Sequence, residues 1–180
     1  MVGALPGGTR AAFLVLVALV ALQRLAELAL ARANVRRMKA RGGREVAASH
    51  YPFMVALHAA FLVAAPAEVV FLQRPFVPAL ALGSVALLLA AEALRVWMLR
   101  TLGDRWSTRV VVVPGEPPVT AGPYRVLRHP NYLVVAIELL ALPLVHTAYV
   151  TAIVFTVLNT ILMAVRIPAE ERALARAYRA

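Results

Sequence analysis

Three stretches of roughly twenty mainly apolar residues, at 11–31, 52–72 and 77–99, constrain this chain more than any other feature. A helix of that length, rising about 1.5 Å per residue, crosses the ~30 Å hydrocarbon core of a bilayer. A soluble domain could not hide them: 62% of the 180 residues are hydrophobic and the mean hydropathy is +0.76. Two shorter apolar runs follow, at 132–146 and 149–166, separated by His146, Thr147 and Ala148. They predict two short antiparallel helices, with a hairpin that enters and returns without a full crossing as the alternative. The expected fold class is therefore all-α: a polytopic integral membrane protein with about five transmembrane helices, the last two short. A cytoplasmic strap at 100–131 and a C-terminal helix at 168–180 complete a single membrane-embedded domain over 1–180.

The formal net charge of +10 does not argue for nucleic acid, because the cations follow the loops and form no aromatic-laced patch. Arg32, Arg36, Arg37, Lys39, Arg41 and Arg44 follow the first span; Arg100, Arg105, Arg109, Arg125 and Arg128 follow the third; Arg166, Arg172, Arg176 and Arg179 follow the last. The opposite side carries only Arg10 and Arg74. Five spans then put the N-terminus outside and the C-terminus in the cytoplasm, and the Ala, Val and Arg richness suits a bacterial inner membrane. The first run is too long and too charged, with Arg24 and Glu27, for a cleaved signal peptide. With no cysteine there is no thiolate metal site, and no metal is expected.

Within the spans, Arg24 and Glu27, and Glu92 and Arg95, stand at i and i+3, where they share a helix face and can pair while the arginines snorkel. Glu138 lies two turns into the fourth run with no basic neighbour at helical spacing. Such an intramembrane carboxyl needs a partner from elsewhere.

The densest polar constellation is Gly122-Pro123-Tyr124-Arg125-Val126-Leu127-Arg128-His129-Pro130-Asn131-Tyr132. Pro130 biases His129 toward extended geometry, so a helix is expected to begin at Asn131 or Tyr132 with its free amides facing a polar or anionic ligand. The second is Arg166-Ile167-Pro168-Ala169-Glu170-Glu171, where Pro168 reads as the first residue of a new helix. Both fall on the same membrane face. Together they offer aromatic, imidazole, carboxylate and guanidinium groups suited to a zwitterionic, purine-bearing cofactor.

These two stretches resemble the isoprenylcysteine carboxyl methyltransferase family over roughly the C-terminal 80 residues. The resemblance implies an S-adenosyl-L-methionine-dependent methyltransferase whose cofactor pocket faces the cytosol and whose lipid-like substrate enters from the bilayer. Carried across residue by residue, it assigns cofactor contacts to Val119, Tyr124, His129, Pro130, Asn131, Tyr132 and Glu170, and the substrate position to Arg166. Val134 stands where the family usually has glycine. The wording Asp104-Arg105-Trp106-Ser107-Thr108-Arg109 and Glu138-Leu139 looks most like the bacterial branch linked to type III polyketide synthases, which methylates hydroxyls of alkylpyrones or alkylresorcinols.

The expected function is O-methylation of such a lipid, at a hydroxyl, an enol or a carboxylate. Arg166 would orient an anionic acceptor; a phenol would need Glu138 or His129 to assist proton removal. A phospholipid N-methyltransferase, or a nicotinamide-dependent membrane reductase sharing His-Pro-Asn-Tyr, are the alternatives. The expected partners are the lipid substrate and membrane lipids, with no nucleic acid, and the oligomeric state is left open.

Overall fold

A computed structural model of the chain describes residues 6–46 and 50–177. Five helices, α1 (Pro6–Ala40), α2 (Tyr51–Phe71), α3 (Pro78–Leu102), α4 (Pro130–Leu144) and α5 (Tyr149–Ala177), make an all-α bundle. The chain is an integral membrane protein: α1, α2, α3 and α5 are each long and apolar enough to cross a bilayer. The 15-residue α4 is the short one.

The helices begin and end where local chemistry directs. Proline stands in the first turn of α2, α3 and α4, where its missing N–H costs no helical bond and its fixed φ is already helical. The helix α4 therefore begins one residue before Asn131, at Pro130, with His129 as the cap residue (φ −131°, ψ 64°). Carrying Arg32, Arg36, Arg37 and Lys39, α1 continues nine residues past the predicted end of its span, to Ala40. Pro168 does not start a separate helix. The helix α5 runs through it from Tyr149 to Ala177: a proline removes one backbone donor from the ladder but does not by itself end a long helix packed in a membrane bundle, and Arg172 Nε donates to the Pro168 carbonyl at 3.0 Å. Residues 178–180 of the expected C-terminal helix lie outside the described residues.

The apolar logic is that of a lipid solvent. Leu19, Leu22, Leu82, Leu89, Ile153 and Ile161 are exposed on the bundle's outside. Phe13 and Val17 of α1, Phe61, Ala65 and Val69 of α2, and Leu139 and Leu142 of α4 form the packed core. At the end away from the basic loops, Glu68 of α2 accepts from the Val150 and Thr151 amides at 3.1 and 2.6 Å, and pairs with Arg74. Its carboxylate thereby caps α5 from a neighbouring helix and complements the positive end of that helix's dipole.

At the basic-loop end, the strap is more ordered than an extended, turn-rich segment. Short 3₁₀ turns form at Gly103–Arg105 and Gly122–Arg125, and β2 (Val110–Val112) pairs antiparallel with β1 (Arg44–Val46), Glu45 opposite Val111. Asn34 of α1, 1% exposed, donates to the Trp106 carbonyl at 2.9 Å and ties the strap to the bundle. Gly122 is required where it is: its φ is +56°, and a Cβ would sit 2.3 Å from Thr101 Oγ1.

Candidate functional site

The first turn of α4 and the last third of α5 meet under this strap. Tyr132 N–H donates to the His129 carbonyl at 3.1 Å, which closes the turn around Pro130, and the two rings stack with centroids 5.3 Å apart and planes 24° from parallel. The Tyr132 hydroxyl donates to Glu170 and accepts from Arg166 Nε at 3.0 Å. His129 Nε2 meets Glu171 at 3.2 Å. Two helices thus contribute an imidazole, a phenol, two carboxylates and a guanidinium to one patch.

Arg166 is the unusual member. It is 8% exposed, and a buried guanidinium ordinarily keeps a carboxylate in direct contact. Here the nearest carboxylate, Glu170, is 4.0 Å away. The other donors go to weaker acceptors: Nη1 to Met54 Sδ at 2.9 Å and Nη2 to the Thr108 carbonyl at 3.3 Å. A thioether is a soft, feeble acceptor. Arg166 is held in place with cationic capacity to spare.

Tyr124 packs against the buried cluster of Ala31, Met98 and Trp106. Burial pushes its hydroxyl up to about 12, and the Glu170 charge adds to the same effect, so the phenol stays protonated beside that carboxylate. Pro130 is buried and Val119 and Asn131 are half-buried. Among the described residues, no hydrogen bond or ring contact joins Val119 or Asn131 to the Tyr132 cluster.

Glu138 is not part of that patch. Its partners come from α1 and α3: Oε1 meets Arg24 at 2.8 Å and Oε2 meets Arg95 at 2.5 Å. Arg24 also reaches Glu27 (2.5 Å) and Glu92 (3.4 Å), and Arg95 reaches Glu27 (3.1 Å) and Glu92 (3.3 Å). The two i, i+3 pairs foreseen along single helices are thus halves of one five-charge cluster. The arginines do not snorkel outward: Arg95 is 1% exposed and turned inward onto carboxylates, because α4 carries an acid to them at the same depth. Glu138 therefore sits with the arginines of α1 and α3 and makes no direct contact with Arg166 among the described residues.

A cavity of about 210 Å³ opens beside this cluster, lined from α1, α2, α3 and α4. It exposes a residue that periodicity did not single out. His58 of α2 lines the cavity and directs Nδ1 at the Met54 carbonyl at 2.7 Å. Met54 is the same residue whose sulfur receives Arg166, so the His58 and Arg166 contacts meet on one residue, four positions or about 6 Å of helical rise from His58. As a lone histidine in an apolar run, His58 carried no pattern to mark it; its importance comes from what three other helices bring to it.

Comparisons with known proteins reach the residues of this patch. The model of the isoprenylcysteine carboxyl methyltransferase (ICMT) family matches residues 84–176, which includes the strap, α4, Arg166 and both glutamates. Over 162 residues, 90% of this chain and 96% of the relative, the sequence is 41% identical to YpbQ of Bacillus subtilis (strain 168), an uncharacterized protein. No solved structure matches. With the family model spanning just over half of the chain and its two motifs meeting in one patch, the chain belongs to the isoprenylcysteine carboxyl methyltransferase family.

Proposed function

We propose that this protein transfers a methyl group from S-adenosyl-L-methionine to an oxygen of a membrane-soluble, lipid-like substrate, an alkylpyrone or alkylresorcinol being the class its sequence most resembles. The observation that carries the reading is the meeting of the His129–Tyr132 stacked pair, Glu170 and the under-paired Arg166 at one end of the bundle. The donor set suits the cofactor's chemistry. Aromatic faces of Tyr124, His129 and Tyr132 take a purine, the carboxylate of Glu170 accepts from hydroxyl or ammonium groups, and the helix start after Pro130 leaves the Asn131 amide without an intrahelical acceptor. The family resemblance adds Val119 of the strap to these cofactor contacts.

When bound, the cofactor supplies an electrophilic methyl group on a sulfonium. The chain's own contribution is positioning and exclusion of water. Arg166, anchored by Tyr132, Met54 and Thr108, orients the acceptor oxygen by charge-assisted hydrogen bonds. Membership in the family favours this over nicotinamide-dependent reduction or phospholipid N-methylation. The charge asymmetry of the loops supports a cytoplasmic site in a bacterial plasma membrane, with the N-terminus outside.

The test is titration of the detergent-solubilised protein with S-adenosylhomocysteine and with NADPH, followed by mass spectrometry of lipids incubated with S-adenosylmethionine. Saturable binding of the first only, and the gain of one methyl group on a defined lipid, are expected. Binding of NADPH alone would sink the proposal.

A further inference from the structure

The cavity beside the five-charge cluster is polar at one end and apolar at the other, and four helices agree on the direction. The polar lining, Gln23 and Arg24 of α1, His58 of α2, Glu92 of α3 and Glu138 of α4, lies nearer the basic-loop end of each helix. The apolar lining, Leu16, Phe61, Leu62, Val85 and Leu142, lies one to two turns further from it. A head group seated by the polar end would therefore face the Arg166 patch, with its chain pointing away. The volume of about 210 Å³ equals roughly seven waters at about 30 Å³ each, enough for a head group and the first part of an alkyl chain. The rest of a chain has a way out to lipid: Leu19 of α1 and Val85 and Leu89 of α3 line the cavity yet are 58%, 37% and 65% exposed.

Electrostatics then select the head group. Glu27, Glu92 and Glu138 face Arg24 and Arg95, three carboxylates to two guanidiniums, and each guanidinium already has three carboxylates within 3.4 Å. A carboxylate entering this poorly solvated site finds both guanidiniums already engaged by three carboxyls each and no free cation to pair with; a neutral hydroxyl needs none. The hydroxyl needs an acceptor for its proton. Both Glu138 oxygens are already taken by the two arginines, whereas His58 is oriented for the task. With Nδ1–H donated to the Met54 carbonyl, the ring lone pair is on Nε2, and no described residue bonds to that atom. The charged groups lining the same cavity are Arg24, Glu92 and Glu138, and Arg166 of α5 adds its field from beyond Met54.

Resting on the methyl-transfer reading above, we propose that this cavity is the acceptor site, that it takes an alkyl lipid with a neutral hydroxyl head group rather than a fatty carboxylate, and that His58 Nε2 receives the hydroxyl proton. The O–H bond breaks, an N–H bond forms, and the resulting oxygen anion lies between the imidazolium and Arg166, which contacts Met54 one turn along α2. His58 is then a catalytic residue of this chain.

The test measures binding apart from turnover. Dodecylphenol and dodecanoate are titrated into the solubilised full-length protein without cofactor, and S-adenosylhomocysteine is titrated separately. Dodecylphenol is expected to bind at least tenfold more tightly than dodecanoate. Leu62→Trp, which fills the apolar end, should weaken dodecylphenol at least tenfold and leave S-adenosylhomocysteine within twofold. His58→Asn keeps a donor for Met54 and removes Nε2. It should lower kcat about 100-fold at neutral pH, with the loss shrinking as pH rises and the acceptor ionises unaided. Dodecanoate binding as tightly as dodecylphenol would overturn the substrate class. An unchanged pH profile in His58→Asn, or dodecylphenol binding indifferent to Leu62→Trp, would overturn the role or the site. Failure of S-adenosylhomocysteine alone would count against the methyl-transfer reading and leave the cavity's selectivity measured.

Discussion

Arg95 and Arg166 are both buried arginines next to glutamates, and the difference between their surroundings separates scaffold from site. Arg95, in the middle of the bundle, lies within 3.3 Å of Glu27, Glu92 and Glu138. Arg166, at the basic-loop end, has its nearest carboxylate at 4.0 Å and spends a donor on a methionine sulfur. A guanidinium taken out of water is tolerated only when anions or strong acceptors replace its hydration. Arg95 has been given three. Arg166 has been given a phenol, a carbonyl and a thioether, which fix its direction and leave it able to bind a further anionic oxygen.

The sharpest way to break the comparison is Arg95→Met. It leaves three carboxylates facing one guanidinium, and thermal unfolding in detergent should show a loss of roughly 3–5 kcal/mol; a change below about 1 kcal/mol would mean the cluster is not holding α1, α3 and α4 together. Next comes Arg166→Ala, whose expected signature is the reverse. Turnover should fall about 100-fold, the size typical of losing a charge-stabilising donor, while S-adenosylhomocysteine affinity changes less than tenfold; an effect confined to cofactor affinity would contradict the acceptor role. Tyr132→Phe removes the hydroxyl shared by Glu170 and Arg166. At about 1 kcal/mol for a lost hydrogen bond, cofactor affinity should weaken roughly fivefold, measured by the same titration. The smallest effect is expected for Glu138→Gln. Gln keeps the shape and one acceptor oxygen for an arginine, so the loss should be that of one hydrogen bond, roughly 1 kcal/mol, and a large loss of turnover with stability intact would place Glu138 in the catalytic set.

Much of the architecture was legible in the residues. Span length follows from a hydrocarbon thickness that any sequence must match, so the apolar runs at 11–31, 52–72, 77–99 and 149–166 each appear within a longer or equal helix, apart from Leu72, just past the end of α2, and Val77, the cap residue just before α3. The motif at 122–132 was equally open to reading, because Gly122, Pro123 and Pro130 impose local geometry that no packing needs to add. Pro168 misled for an instructive reason. A proline removes one donor and clashes with one carbonyl, which ends a short exposed helix but is tolerated inside a long helix held by neighbours in a membrane bundle.

By itself, the sequence determined that this chain lives in a membrane, that its polar motifs lie on the face of the basic loops, and that it carries the residues of a methyltransferase family. Only the tertiary structure decided which charges belong together. Helical periodicity pairs Arg24 with Glu27 and Glu92 with Arg95 because i and i+3 share a face; it is silent about Glu138, which finds both arginines across helix interfaces, and about His58, which gains its setting from Met54 and from cavity walls on three other helices. Contacts within a helix are set by local geometry. Contacts between helices depend on depth and rotation in the bundle, which are properties of the packed whole.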